Sequence, residues 1–273
     1  MSNAIDGPLI PYEMQSLNDI LIEKGWHDLS DWWKGQIAQV YATNKRRAVF
    51  RVGRRGGKSA TICRVAVYEA LFGDHKIPPG DIGVFGIISA DMKQAKDRIN
   101  TIKSIFETLE LGGIKSMADQ VIIPERQIAI RVYAASMRGV VGCTSIGWML
   151  DEMTRWRDSD TGANPAEEVI RSLMPTISTM PKARTWWISS PYSTLDIHYD
   201  AIEDGITPTQ HVGIAPTWIA NPTLTEAGTR ELESDHSIWL REYAAIPLAS
   251  DESKFFQYGL IEEARTPFAE RGI

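Results

Sequence analysis

Cysteine and histidine are scarce in this sequence. Its 273 residues include two cysteines, Cys63 and Cys143, which lie far apart, and five histidines without the regular spacing of metal ligands. Two isolated cysteines do not make a disulfide framework, and no CxxC pair is present to hold zinc. We therefore expect neither structural disulfides nor a zinc site, and a reduced interior such as the cytosol as the setting.

Long apolar runs and an excess of positive charge are also missing. No stretch approaches the ~18 consecutive apolar residues of a membrane-spanning helix, and the first residues, MSNAIDGPLIPYEM, lack the apolar core of a signal peptide. The net charge is −6, from 29 basic and 35 acidic residues. A protein coated for nonspecific DNA binding is usually basic. We therefore expect no membrane partner, and only local contacts with any DNA.

What the sequence does contain is an alternation of apolar runs with amphipathic helical segments. The second predicted helix has Ser89 or Asp91 available as its cap. Segment 119–135 is typical of two strands around a turn, and after about residue 205 a short strand and a helical run predict a smaller subdomain. The alternation predicts an α/β fold with a mainly parallel central sheet. Its main strands are expected at 46–53, 81–88, 145–152 and 183–191, with helices at 57–73 and 89–111.

The stretch RVGRRGGKSA, residues 51–60, lies between a predicted strand and a predicted helix. Backbone N–H groups at such a turn converge on phosphates, and the helix dipole adds a favourable potential. Lys58 would reach the β- and γ-phosphates, and the Ser59 hydroxyl would ligate Mg²⁺. Because the pattern GxxxxGK[ST] requires glycine where Val52 stands, a glycine-rich turn of purely structural role remains open on this stretch alone.

Two carboxylates at the end of an apolar strand supply what a P-loop site also needs. The run IGWMLDE ends in Asp151 and Glu152. Asp151 would hold the metal through water, and Glu152 would activate the attacking water. A strand–GGKS–helix unit followed by such a pair predicts an NTP-hydrolysing P-loop protein.

These segments together resemble, in order along most of the chain, the ATPase domain of the large terminase of tailed bacteriophages, the motor that packages DNA into capsids. The similar segments are GRRGGKS, ISADMKQAKDRI, SMRGVVG, the acidic strand, WISSPYS, ANPTLT and the EY…FF run within 239–256. The resemblance implies a P-loop NTPase of the RecA-like, additional-strand catalytic-Glu type, with a small C-terminal lid subdomain. It also implies an Mg²⁺-dependent ATPase that drives translocation of double-stranded DNA.

The resemblance implies how the nucleotide would be bound. Gln36 would read the adenine, and Arg54 would contact the γ-phosphate or couple its state to motion. Catalysis would depend on Glu152, with Lys58 and Arg54 on the phosphates. The residues implied to contact ATP in the P-loop are Gly53, Arg54, Arg55, Gly56, Gly57, Lys58, Ser59 and Ala60.

Further roles follow from the same resemblance. Arg138, in SMRGVVG, would act as an arginine finger in a neighbouring subunit's site. Ser189 and Ser190 would sense hydrolysis and relay it. Asn221 and Tyr243 would shape the lid rather than take part in the chemistry.

The partners implied by the resemblance are those of a packaging motor. They are double-stranded DNA, further copies of the chain in a pentameric ring, the capsid portal and the small terminase subunit. The implied location is the host cytoplasm during infection, docked on the procapsid portal.

The predicted organisation has four parts. A helical region with adenine-side elements is expected at 1–45, the P-loop core at 46–204 and the lid at 205–256. Residues 257–273 would be a linker toward a nuclease domain that this sequence does not contain. We therefore expect no nuclease activity from this chain.

Two other functions remain open at this stage. A DEAD-like helicase shares the P-loop and the acidic pair but needs a second RecA-like domain of ~150 residues, and only 82 residues follow Pro191. A nucleotide-binding assembly subunit without turnover is the non-enzymatic alternative. Glu152 argues against it, because a binding-only site has no need of a carboxylate that activates water.

Overall fold

The computed structural model describes residues 9–135, 142–158 and 162–247. The helices are α1 (Tyr12–Glu23), α2 (Asp31–Ala42), α3 (Lys58–Phe72), α4 (Met92–Thr108), α5 (Ala166–Leu173), α6 (Ile197–Glu203), α7 (Thr217–Ala220), α8 (Glu226–Leu232) and α9 (His236–Glu242). The strands are β1 (Arg47–Val52), β2 (Gly83–Ser89), β3 (Lys115–Ser116), β4 (Gln120–Ile123), β5 (Ile128–Ala134), β6 (Thr144–Asp151), β7 (Arg184–Ser189) and β8 (Gln210–Ala215).

The strands form one eight-stranded sheet in the order β3-β4-β5-β2-β6-β7-β1-β8. The pairs β3–β4 and β4–β5 are antiparallel, and all the other pairs are parallel. The predicted α/β fold with a mainly parallel sheet is therefore confirmed. Strand β7 lies between β1 and β6, so one additional strand separates the P-loop strand from the acidic strand. Because β1, β6 and β7 run parallel, their carboxyl ends meet at one edge of the sheet, where α/β proteins place ligands.

The central strands are buried on both faces, as their continuous apolar runs predict. Every residue of β2 and β7 is buried. One core cluster packs α1, α2, α3 and α4 against one face of the sheet. A second cluster covers the other face with α5 and α6. No helix in the described part of the chain is long and apolar enough to cross a membrane.

Three local details differ from, or decide between, the sequence-based expectations. Asp91 rather than Ser89 caps α4, because Asp91 accepts a hydrogen bond from Gln94 N–H at 2.8 Å while Ser89 ends β2. The helical run after residue 224 forms two helices instead of one. Asp235 begins the second of them, α9, by accepting from Ile238 N–H at 3.0 Å.

The third detail concerns the predicted lid boundary at residue 205. Strand β8, which follows that boundary, pairs in parallel with β1 along the whole of β1. The first strand assigned to the lid is therefore part of the central sheet, because it completes the edge of the sheet beside the P-loop strand. The extent of the lid after β8 stays a prediction. Residues 248–256 and the predicted linker lie outside the described residues.

Candidate active site

The turn between β1 and α3 has an unusual backbone. Arg55 has φ +64° and Gly57 has φ +78°, both in the left-handed region. Gly57 is the N-cap of α3, where it has no side chain to fill the mouth of the turn. The first N–H groups of α3 have no partners within the helix and are directed to this mouth. The turn has the chemical character of an anion site.

The segment after β8 holds this turn in place. Gly53, in the turn, lies very close to this segment. A Cβ added at Gly53 would stand 2.4 Å from both Thr217 Oγ1 and the Tyr243 carbonyl oxygen. Thr217 Oγ1 donates to the Arg54 carbonyl at 2.7 Å, and Asn221 Nδ2 donates to the Arg55 carbonyl at 2.9 Å. Asn221 and Tyr243, which the sequence placed in a lid, thus contact the P-loop backbone directly.

Lys58 lies at the centre of the site, with only 6% of its side chain exposed. Its Nζ donates to the carbonyl oxygens of Val52 and Gly53 at 3.1 and 3.0 Å and to Ser190 Oγ at 2.8 Å. The same Nζ is 3.2 Å from Glu152 Oε1. The lysine is therefore paired with the predicted catalytic carboxylate.

Glu152 follows β6 in a left-handed conformation, with φ +53°. Its Oε2 accepts from Ser190 N–H at 2.9 Å and from Ser189 Oγ at 3.3 Å. Burial by itself would raise the pKa of Glu152, but the charge of Lys58 and the Ser190 N–H more than offset it and hold that pKa below the ordinary value. The carboxylate is therefore ionised at neutral pH.

Ser190, which with Ser189 is a predicted coupling residue, connects Glu152 to Lys58. Ser190 contacts Lys58 through its hydroxyl and Glu152 through its N–H. Ser189 Oγ is 2.8 Å from Thr154 Oγ1, and Thr154 Oγ1 donates to the Ser190 carbonyl at 2.9 Å. Thr154 had no signal in the sequence, because a threonine after an acidic pair is common and its partner lies on another strand.

Asp151, the predicted metal residue, is 1% exposed. Its Oδ2 accepts from Arg98 Nε at 2.7 Å and from Ser89 Oγ at 3.3 Å. Burial raises the pKa of Asp151 above its ordinary value despite the attraction of Arg98. The other oxygen, Oδ1, is buried and has no hydrogen-bond partner among the described residues.

The residues present fit a magnesium ion. An unpartnered buried carboxylate oxygen and the hydroxyl of Ser59, in the first turn of α3, are the hard oxygen donors that Mg²⁺ prefers. Within the described ranges, no group of three or more His, Cys, Asp or Glu residues could hold a metal by itself.

Arg54, predicted to contact the γ-phosphate or to couple its state to motion, is paired with Glu242 in the structure, and its predicted role stays a prediction. Its side chain is 53% exposed, and its Nε is 2.9 Å from Oε2 of Glu242, a buried residue at the end of α9. The Oε1 of Glu242 accepts from Arg155 at 2.6 Å and from Arg241 Nε at 3.1 Å. Glu242 thus connects the P-loop arginine, the segment after Glu152 and α9. Sequence reasoning selected its neighbour Tyr243 and missed Glu242 and Arg155.

A cavity of about 600 Å³ lies beside the start of α3. Its lining includes Trp33, Gly57, Thr61, Arg64 and Asn221. Trp33 Nε1 also donates to the Gly56 carbonyl at 2.7 Å. The position next to the P-loop suits the base and ribose of a nucleotide.

Gln36, predicted to read adenine, does not line this cavity. Its Oε1 is 2.8 Å from Nε2 of His211 on β8. Its role in adenine recognition stays a prediction, and Trp33, one helical turn earlier on α2, lies nearer to the P-loop. Arg138, the predicted finger, lies outside the described residues.

Comparisons with known proteins bear on the fold. No protein-family model matches the sequence, and no curated protein matches it either. Solved structures do match. The ATPase domain of the large terminase of Thermus phage P74-26, in an arginine-to-alanine mutant, has a TM-score of 0.66 and 17% identity, over 88% of this chain and 100% of that one. The chain has the fold of a large terminase ATPase domain.

Two longer terminases share the same fold. The HK97 bacteriophage large terminase has a TM-score of 0.63 and 15% identity over 84% of this chain. The large terminase of the thermophilic bacteriophage D6E, in complex with ATP-gamma-S, has a TM-score of 0.58 and 11% identity over 80% of this chain. This chain spans 54% and 52% of those two proteins. The D6E protein was also solved with ADP. Nucleotide complexes are therefore known for this fold.

Proposed function

We propose that this chain hydrolyses ATP, and that hydrolysis drives the packaging of double-stranded DNA as the motor domain of a phage large terminase. One observation carries the ATPase proposal, which is that three polar side chains or backbone groups meet at one edge of the sheet. They belong to Lys58, Glu152 and Ser190, which follow three parallel strands. Each pair of these residues has polar atoms within 3.2 Å of each other. A P-loop lysine can bind the phosphates, and an ionised carboxylate beside it can orient or activate the attacking water. The terminase ATPase fold supports the choice among P-loop enzymes.

Lys58 changes partner when a nucleotide binds. In the structure its ammonium group is shared between Glu152 and two carbonyl oxygens, those of Val52 and Gly53. A triphosphate carries more negative charge than one carboxylate and offers stronger charge-assisted hydrogen bonds. The ammonium group then moves to the phosphates, and Glu152 is left to accept a proton from the attacking water. Because Ser190 N–H still holds Oε2, the carboxylate stays oriented while it becomes basic.

Ser59 and Asp151 would hold Mg²⁺. When bound, the ion would supply positive charge that offsets the negative charge of the triphosphate. The role of the chain's own residues is to place a hydroxyl at the start of α3 and a buried carboxylate at the tip of β6 on the same edge of the sheet.

The partners in this proposal come from the packaging role. We propose a pentameric ring on the capsid portal in the host cytoplasm, acting on double-stranded DNA together with a small terminase subunit. The segment SMRGVVG supports the ring, because an arginine finger completes a neighbour's site. The net charge of −6 favours local rather than extensive contacts with DNA.

Steady-state ATP turnover, measured with and without double-stranded DNA, tests the proposal. We expect Mg²⁺-dependent turnover that DNA stimulates. Turnover that responds only to single strands would favour a helicase. Nucleotide binding without any turnover would leave only an assembly role.

Lys58→Ala should weaken ATP binding by about 10- to 150-fold. The reason is the loss of a charge-assisted interaction with the phosphates, worth ~1.5–3 kcal/mol. Isothermal titration calorimetry measures the change directly. Lys93→Ala, which removes an exposed lysine of α4, is the matched control and should leave the affinity unchanged. Equal affinities for the two variants would contradict a phosphate-binding role for Lys58.

The pH dependence of turnover should show the exchange of partners by Lys58. In the free protein Lys58 and the Ser190 N–H hold the pKa of Glu152 below its ordinary value, so activity is lost only as the pH falls through that low pKa. In the ATP complex Lys58 faces the phosphates, and the pKa of Glu152 rises. Since kcat/KM reports the free enzyme and kcat the complex, the acid limb of kcat should lie at higher pH. Coincident acid limbs would mean that Lys58 does not leave Glu152.

A further inference from the structure

Arg98 connects α4 to the acidic end of β6. Its Nε is 2.7 Å from Asp151 Oδ2, and its side chain is only 17% exposed. Cys63 on α3 donates through Sγ to the Arg98 carbonyl at 3.7 Å, which places the backbone of Arg98 against the P-loop helix. The arginine therefore lies between the helix that carries Lys58 and the strand that carries Asp151.

The two oxygens of Asp151 are used differently. Oδ2 accepts from both Arg98 and Ser89, whereas Oδ1 is buried and has no partner among the described residues. A carboxylate fixed through one oxygen has a defined direction for the other. A buried carboxylate with an orphaned oxygen is costly unless something else binds there.

We propose that Arg98 is a positioning residue, which fixes Asp151 through Oδ2 and thereby presents Oδ1 to the magnesium site. This inference rests on the proposed ATPase function. Arg98 itself contacts neither nucleotide nor metal in this arrangement. Its positive charge offsets the cost of burying the Asp151 carboxylate before the metal arrives. Partners of metal-binding carboxylates act in this way on metal affinity.

The alternative is that Arg98 competes with the metal for Asp151. This role predicts the opposite change in Mg²⁺ affinity when Arg98 is replaced. If the guanidinium group occupied the place of the metal, then its removal would make Mg²⁺ bind more tightly. The free Oδ1 argues for positioning, because a competitor would be expected to engage the oxygen that the metal uses. The Mg²⁺ dependence of nucleotide binding separates the two roles.

The experiment measures binding of a fluorescent, non-hydrolysable ATP analogue as Mg²⁺ is titrated. For Arg98→Gln we expect a rise of about 10- to 100-fold in the Mg²⁺ concentration that gives half of the maximal increase in analogue binding. The affinity for the analogue in EDTA should change little. Arg98→Lys keeps the charge but not the planar guanidinium, and should lie in between. Lys96→Gln removes an exposed charge from the same helix and should match the wild type.

The possible results are distinct. An unchanged or lower Mg²⁺ requirement in Arg98→Gln overturns the inference about Arg98. If the wild-type protein still binds the analogue, the proposed function stands. A wild-type protein that binds no analogue at any Mg²⁺ concentration overturns both. If thermal unfolding shows that Arg98→Gln does not fold, the Mg²⁺ requirements of Ser89→Ala and Arg98→Lys test the inference instead. Ser89→Ala removes the second contact to Oδ2 and should raise the Mg²⁺ requirement by a smaller factor.

Discussion

Glu152→Gln is expected to reduce ATP turnover by about 10²–10⁴-fold, the usual contribution of a general base, while ATP binding is kept. Glutamine retains the shape of the side chain, and its amide oxygen can still accept from Ser190 N–H. It cannot take a proton from water. The loss should therefore fall on kcat, with the dissociation constant unchanged or smaller because Lys58 no longer has a competing carboxylate partner.

The measurement combines steady-state turnover with calorimetric binding of ATP. Glu167→Gln is the matched control, since Glu167 lies on α5 with 62% of its side chain exposed and is paired only with Arg171 among the described residues. It should behave as the wild type in both assays. Turnover of Glu152→Gln within a few-fold of this control would remove Glu152 from the role of base.

Arg138→Ala is expected to lower turnover by about 10³–10⁵-fold, the range for arginine fingers, with normal ATP affinity. The prediction comes from the segment SMRGVVG and its resemblance to terminases. A guanidinium group suits this task because its planar, permanently charged fork can hold two oxygens of the transferring phosphoryl group. If the finger acts on a neighbour, wild-type turnover per subunit should rise with protein concentration, and the variant should stay slow at every concentration.

Mixing variants tests whether the finger acts between subunits. Arg138→Ala and Glu152→Gln are each expected to be slow alone. In a mixed ring, some sites combine an intact base from one subunit with an intact finger from the next, so part of the activity should return. Arg171→Ala, which removes an exposed arginine of α5, is the control for loss of charge. A mixture no faster than its components, with wild-type turnover independent of concentration, would place Arg138 in its own subunit or outside the chemistry.

Much of the site could be predicted from the sequence because its chemistry is local. A strand, a glycine turn and GKS at 51–60 favour an anion site, because backbone N–H groups converge at such a turn. An apolar run that ends in Asp151 and Glu152 places two carboxylates at a strand tip. The alternation of apolar runs with helical segments likewise predicted the mainly parallel sheet, which the strand pairing confirms.

The contacts between distant segments were decided only by the tertiary structure. That Lys58 pairs with Glu152, that Arg98 holds Asp151 and that Arg54 is bound by Glu242 all depend on which strands are neighbours and which way side chains point. Strand β8 joined the sheet for the same reason, since its own sequence cannot show that β1 has a free edge. Periodicity reports which face of an element is buried, but not the element against which it packs. The residue types of the candidate site could therefore be predicted from the sequence, whereas the pairing of Glu152 with Lys58 could not.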